Sequence, residues 1–432
     1  MPDIAVFDYV HGDAKNFVEQ GLIRRLPDNW KSRWKNVEVA YNNTGIGPAL
    51  EEIFGGTYIL PKPIFSSNKP TDPLVTHVNM VARLDWLKAI GAEIKDTYTT
   101  SEIIELARKI KEKDPGGLGD KLLPINGTYA QLSSMFVGGN SAHAMRASQF
   151  YKGEDNKYHW GPGEENVLLG LRLYQQAYRE GLINPEFFNL NTSDVLQQFY
   201  TSCQTGIIRY NCQAMDFVRY NTELRKNLGI NTDEDLAHTA VILGEDGKFH
   251  AQEVTNFWTS IIFSPKIEEE KFERIMDLYD YVCSDEGQLI VRLGFEGKDY
   301  TVNPDGSYNV LIPEGKTLTD IYPSHHPLYQ NMMILSDDFT MVSPLYPKKY
   351  RDRSWELYQI KARYGKDTIK RIDWNVYFHD SPSSRKVNFD YEMEYAQLIL
   401  MEGDIKDNWE KWKAEKAPLI NPVLEELNAL IK

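Results

Sequence analysis

Apolar residues in this 432-residue chain fall into short unbroken runs and longer periodic ones. Ile4-Ala-Val-Phe-Asp-Tyr-Val10 is nearly continuous, the pattern of an interior parallel strand covered on both faces and flanked by neighbours. A strand of that kind rarely opens a chain. Ser260-Ile-Ile-Phe263 is a second such run, β-branched and apolar, and suits a buried strand. Leu123-Pro-Ile125 and Thr239 to Leu243 also read as strands. Elsewhere the helical period takes over. Phe272, Ile275, Met276 and Tyr279 share one face of a helix that follows Pro265 and closes at Ser284-Asp-Glu-Gly287. Thr99-Thr-Ser-Glu102 is a capping box in front of Ile103, Leu106, Ala107 and Ile110. Val167, Leu171, Tyr174 and Tyr178 form a face ending at Gly181, and Ile420, Val423, Leu424, Leu427 and Ile431 make a last amphipathic helix.

Polar punctuation separates these elements. Lys62 to Thr76, rich in Pro, Ser and Asn, marks a loop, and Phe136 to Ala144 is Gly-rich and polar. Phe150 to Trp160 reads as a hairpin turning at Glu154-Asp-Asn-Lys157, with Trp160 either lining a site or, as such residues more often do, packing on the hairpin. Trp30 and Trp34, on a short helix, are left unassigned, although aromatics so placed more often pack than form a ligand platform.

Composition narrows the function classes. The length predicts two or three domains. Hydrophobic residues are 42% of the chain, yet no apolar run approaches the ~20 residues of a membrane-spanning helix. A formal charge of -14 argues against nucleic acid or anionic lipid as the main partner. Cys203, Cys212 and Cys283 lack metal-site spacing and read as small buried residues, and His325-His326 as loop histidines.

The order of these segments resembles the extracellular solute-binding proteins of ABC sugar importers. The run from Ser260 through Pro265 to Ser284-Asp-Glu-Gly287, with a second G-x-E-G at Gly294 to Gly297, carries part of the likeness. Pro2-Asp3-Ile4, Gly21 to Leu26, Gly56-Thr-Tyr-Ile-Leu-Pro61 and Ala82-Arg-Leu-Asp-Trp-Leu87 extend it, and Tyr178-Arg-Glu-Gly-Leu-Ile-Asn-Pro-Glu-Phe-Phe188 is its most specific segment. Asn303 to Tyr308, Leu398 to Gly403 and Asp407 to Lys411 continue it, with a weak stretch between 346 and 380.

The resemblance implies an α/β, two-lobe periplasmic-binding-protein-like fold with a hinge and an interlobe cleft. Lobe I is expected over 1–98 plus 256–340 and lobe II over 99–255 plus 341–432. In that family a lipoprotein signal and a first strand and helix precede a motif like Pro2-Asp3-Ile4, so the chain is expected to lack its first βα unit. Met1 leads directly into Pro2-Asp3 without a signal peptide. The implied location is nevertheless the periplasm or the outer face of the cell membrane, lipid-anchored in the full-length protein. Family members often carry a calcium loop after the Thr99 helix. Here Asp114-Pro-Gly-Gly-Leu-Gly-Asp-Lys121 keeps Asp114 and Asp120 but puts glycines and Leu118 where side-chain oxygens are needed, so neither metal nor cofactor is expected.

The implied function is capture of a carbohydrate, an oligosaccharide, between the lobes of a monomer and delivery to the transporter's permease subunits. A sugar offers an apolar C–H face and a rim of hydroxyls, so its site needs aromatic plates and planar polar groups. The expected ligand-binding residues are Trp258, on the return crossing Glu253 to Pro265, with Arg209, Tyr210 and Asn211 facing it, and Asn79, Trp355 and Trp374. Asn79 reads equally well as an asparagine satisfying its own backbone. No catalytic residue is expected. A glycoside hydrolase needs two carboxylates about 5–10 Å apart, and the 62 acidic residues mark no such pair. A binding protein for a peptide or other non-sugar ligand, or a remnant that no longer binds, are the remaining alternatives.

Overall fold

The computed structural model describes residues 2–8, 11–65, 69–304, 308–313, 316–325 and 346–431. Val10, the turn Asp305 to Ser307 and His326 lie outside them. The chain forms two compact units, Met1–Pro70 with Thr255–Asp352, and Thr71–Val254 with Arg353–Lys432.

The first unit is organised on the apolar run around Ile261. The strand Phe257–Phe263 lies between Ile4–Phe7 and Leu60–Pro63, antiparallel to both. Side chains alternate across a strand, so an unbroken apolar run needs cover on both faces. Ile261 and Phe263 pack with Leu26, Trp30, Trp34, Phe272, Met276 and Tyr279, while Ile262 packs with Ala14, Ile23 and Ile59. Trp30 Nε1 donates to Thr57 Oγ1 at 3.0 Å and Trp34 Nε1 to Asp277 Oδ1 at 2.7 Å, so both indoles are satisfied inside this core. Ile4–Phe7 differs from its expected role. Among the described residues it is an edge strand, antiparallel to Phe257–Phe263, with all four residues half-buried.

Ser284 also does more than stop a helix. Its Oγ accepts the Gly287 N–H at 3.1 Å and starts the next helix, Asp285–Leu293, directly after Glu269–Cys283. His325 is held in place, with Nε2 2.7 Å from the Val291 carbonyl oxygen and Nδ1 3.0 Å from Thr319 Oγ1.

The second unit holds a five-stranded sheet in the order Thr97–Thr99, Ala237–Leu243, Val78–Arg83, Thr205–Asn211, Leu123–Ile125. The two inner pairings are antiparallel and the two outer ones parallel. Val78–Arg83 is therefore the centre of this sheet. The segment from Thr71 to Tyr98, expected with the N-terminal lobe, belongs here because its strand pairs with residues more than a hundred positions later. Helix Thr100–Lys113 begins at the expected capping box, Thr99 Oγ1 accepting from Glu102 N and Glu102 Oε2 from Thr99 N. Arg83 and Asp85 are ion-paired at the start of helix Leu84–Ala89, with Arg83 Nε donating to Asp85 Oδ1 at 2.8 Å. Helix Glu165–Arg179 buries Val167, Leu171 and Tyr174, and passes Phe136 and Val137 so closely that a Cβ on Gly170 would lie 2.7 Å from the Phe136 carbonyl oxygen.

Candidate functional site

Four of the expected ligand residues fall on two neighbouring strands of the second unit. In the antiparallel pairing of Val78–Arg83 with Thr205–Asn211, Asn79 is opposite Tyr210, Met80 opposite Arg209 and Val78 opposite Asn211. The register thus brings together residues that are remote in sequence. Asn79 is 2% exposed and its amide donates to the His77 carbonyl oxygen at 2.9 Å, a local role. Arg209, Tyr210 and Asn211 are half-buried.

Two side chains unmarked in the sequence complete this cluster. Lys361, from helix Lys348–Tyr364, donates to the carbonyl oxygens of Thr76 at 2.6 Å and Val78 at 2.9 Å. Burial lowers its pKa to about 7, and the Arg209 charge acts in the same direction. His77, hydrogen-bonded to the Asn211 side chain, is lowered to about 4 by burial and by the Lys361 and Arg209 charges, so it is neutral near pH 7. Burial pushes the adjacent Cys212 thiol up to about 12, which removes it as a nucleophile.

The same unit carries a cavity of about 930 Å³, to which Trp374 contributes. The hairpin Phe150–Lys152 and Tyr158–Trp160 supplies one wall, Ser141 to His143 a second, and Thr368 to Asn375 a third. Tyr151 stacks on His143 with ring centroids 3.9 Å apart, and its hydroxyl donates to Glu164 Oε1. Burial raises the Glu164 pKa. His143 Nδ1 lies 3.2 Å from the Ser148 carbonyl oxygen, which only accepts, so Nδ1 carries the proton. That leaves the buried His143 Nε2 as an acceptor without a partner among the described residues. Trp374 stacks on Phe378 at 5.4 Å, and its helix, Trp374–Tyr377, is capped by Asp373, which also accepts the Tyr158 hydroxyl at 2.9 Å. The cavity therefore combines fixed aromatic faces with convergent polar groups.

Trp258 belongs to the first unit. Phe257 is opposite Pro63 but Ser260 is opposite Pro61, so Trp258 and Thr259 together face Lys62 across a β-bulge. The indole is 67% exposed. Trp355, 37% exposed on helix Lys348–Tyr364, belongs to the second unit and does not line the cavity. His143, Tyr151 and Glu164 escaped the sequence reading, although the Gly-rich stretch and the hairpin that position them were both visible as local elements.

No known family profile matches the chain. The lipoprotein LipO of Bacillus subtilis (strain 168) is 24% identical over 380 residues, 81% of this chain and 68% of that protein. The S. pneumoniae ABC-transporter substrate binding protein FusA in complex with kestose aligns over 99% of this chain and 87% of its own, with a TM-score of 0.64 and 15% identity. An extracellular solute-binding protein from Bifidobacterium longum subsp. infantis aligns over 99% and 86%, with a TM-score of 0.66 and 14% identity. The alginate-binding protein AlgQ2 without calcium ion aligns equally far, with a TM-score of 0.65 and 16% identity.

The chain has the α/β fold of the ABC-transporter solute-binding proteins.

Within this solute-binding fold, the loop after helix Thr100–Lys113 is closed by the protein itself. Asp114 Oδ1 accepts the Leu118 N–H at 2.9 Å and Oδ2 the Gly119 N–H at 2.8 Å. Both carboxylate oxygens are thereby engaged, and the glycines and Leu118 around them supply no side-chain oxygen. The loop does not fit a calcium ion. Among the described residues no group of three or more His, Cys, Asp or Glu side chains is placed to hold a metal. Nor, among those residues, is any helix of this solute-binding fold long and apolar enough to cross a membrane.

Proposed function

We propose that the chain is the extracytoplasmic substrate-binding component of an ABC transporter, capturing an oligosaccharide and delivering it to permease subunits. The observation that carries this reading is the cavity of about 930 Å³ in the second unit. Its size suits an oligosaccharide segment, Tyr151 and Trp374 offer ring faces for C–H stacking, and Glu164, Asp373 and His143 offer acceptors for hydroxyls. The exposed Trp258 on the first unit is a second stacking surface. Structures of the same fold support the class of ligand, since their bound or named ligands include kestose and alginate. The protein acts as a monomer on the outer face of the cell membrane, lipid-anchored, or in the periplasm.

Binding rather than hydrolysis is favoured because the neighbours in fold are binding proteins. The test is thermal unfolding of the chain against a panel of neutral and acidic oligosaccharides. A ligand at ~100 times its Kd adds about 2.7 kcal/mol to the unfolding free energy and raises Tm. Trp374→Ala is expected to abolish the shift, and Trp355→Ala to leave it. Absence of a shift with every saccharide overturns the reading, and sustained turnover of a chromogenic glycoside replaces it with an enzyme.

A further inference from the structure

Arg209 is the exception among the enclosed arginines of the second unit. Arg83 is paired with Asp85, Arg108 with Glu105 and Glu180, and Arg353 with Asp96 and Glu356, while Arg225 donates to the carbonyl oxygens of Asn221 and Thr232. The half-buried guanidinium of Arg209, by contrast, has neither a hydrogen bond nor an ion pair among the described residues. Its basic neighbour is Lys361, whose pKa burial lowers to about 7, so that it is only partly charged at neutral pH. Lys361, 1% exposed, donates to backbone carbonyls, lies 5.3 Å from the centre of the Phe249 ring and feels the Arg209 charge. The carboxylate that acts on Arg209 is Glu392, beyond ion-pair distance, and Glu392 is also approached by the exposed Arg146. Although the chain has 62 acidic and 48 basic residues, no carboxylate among the described residues lies within ion-pair distance of Arg209.

Partly withdrawing a cation from water without a partner is unfavourable. Such an arrangement is stable in use when a ligand brings the opposite charge. A guanidinium matches a carboxylate through two parallel N–H···O bonds, a geometry that a neutral hydroxyl cannot offer. Asn211, two residues on and therefore on the same face of the strand, is the polar group beside it and is bonded to His77.

We propose that Arg209 receives a carboxylate of the ligand, so that the saccharide is an acidic one containing uronic acid units. This rests on the saccharide reading above and adds a second point of contact, since Arg209 does not line the cavity to which Trp374 contributes. The experiment is calorimetric titration of the full chain with trisaccharides of galacturonate, mannuronate and guluronate, each beside its methyl ester, which keeps the sugar and removes the charge. At least one uronate trisaccharide is expected to bind, with its ester at least tenfold weaker. Arg209→Gln is expected to weaken the acid at least tenfold and leave the ester unchanged, with Arg209→Lys in between and circular dichroism establishing that the variants fold. Equal affinity for acid and ester overturns the proposal, as does an acid affinity unchanged in Arg209→Gln. Binding of neutral oligosaccharides with none of the uronates overturns it while keeping the saccharide reading. If no saccharide of either kind binds, both fall. Should Arg209→Gln not fold, the comparison of acid with ester on the unaltered chain decides.

Discussion

Lys361 holds its ammonium 2.9 Å from the carbonyl oxygen of Val78, a contact between residues 283 positions apart. Burial lowers the Lys361 pKa from 10.5 to about 7 in the folded chain. Between those values the unfolded chain keeps a proton that the folded chain has released, so stability rises with pH in this window. Urea unfolding at pH 7 and pH 9 is expected to show that rise in the unaltered chain. Lys361→Met is expected to flatten it, and an identical slope in both proteins contradicts the assignment.

Trp258 stands 67% exposed on its bulge and has little packing to lose. Trp258→Ala is expected to change the unfolding free energy by no more than about 0.5 kcal/mol, the usual range for surface substitutions. On the proposed reading, in which this indole is a stacking surface, saccharide affinity is expected to fall at least tenfold. Chemical denaturation and calorimetric titration of the same preparation separate the two effects.

The Asp114 carboxylate organises its loop through backbone N–H groups. Added calcium or a chelator is therefore expected to leave the thermal midpoint where it is. Asp114→Ala is expected to lower that midpoint in either condition, since the Leu118 and Gly119 N–H groups lose their acceptor and alanine is strained at the φ of 39° found here. A midpoint that follows calcium in the unaltered chain refutes the self-closed loop.

Gly170 sets two effects against each other. In an exposed helix, alanine is favoured over glycine by about 1 kcal/mol. Here a methyl group would lie 2.7 Å from both the Phe136 carbonyl oxygen and Val137 Cα. Relieving that clash is expected to cost about 1–3 kcal/mol, so Gly170→Ala destabilises in equilibrium unfolding despite the better propensity.

Much of this chain was legible locally. The stripe of Phe272, Met276 and Tyr279 is buried as its period requires, and Thr99 with Glu102 forms the capping box that its spacing announces. The two-sided cover of Ser260–Phe263 was legible too, because an unbroken apolar run has few other uses. The same logic misread Ile4–Phe7. Both of its faces touch apolar clusters, which makes the run continuous, but cover on the faces says nothing about what lies at the edges.

The candidate site divides along the same line. Arg209, Tyr210 and Asn211 follow from the family resemblance and Asn79 from the polar loop before it, and the register makes Asn79 and Tyr210 direct neighbours. Lys361 and His77 carried no mark, since a lysine on a helix and a histidine at a loop end are ordinary until something encloses them. Tyr151, His143 and Glu164 meet only because a hairpin, a Gly-rich stretch and a helix start converge on one cavity.

By itself, the sequence determined the helices, their caps and the buried strands, since those depend on residues within a few positions of one another. Tertiary structure decided which unit Val78–Arg83 joined, which cation went unpaired and which aromatic rings reached a common cavity. Those outcomes depend on pairings across a hundred residues or more, and on how far each group is removed from water, which no local pattern records.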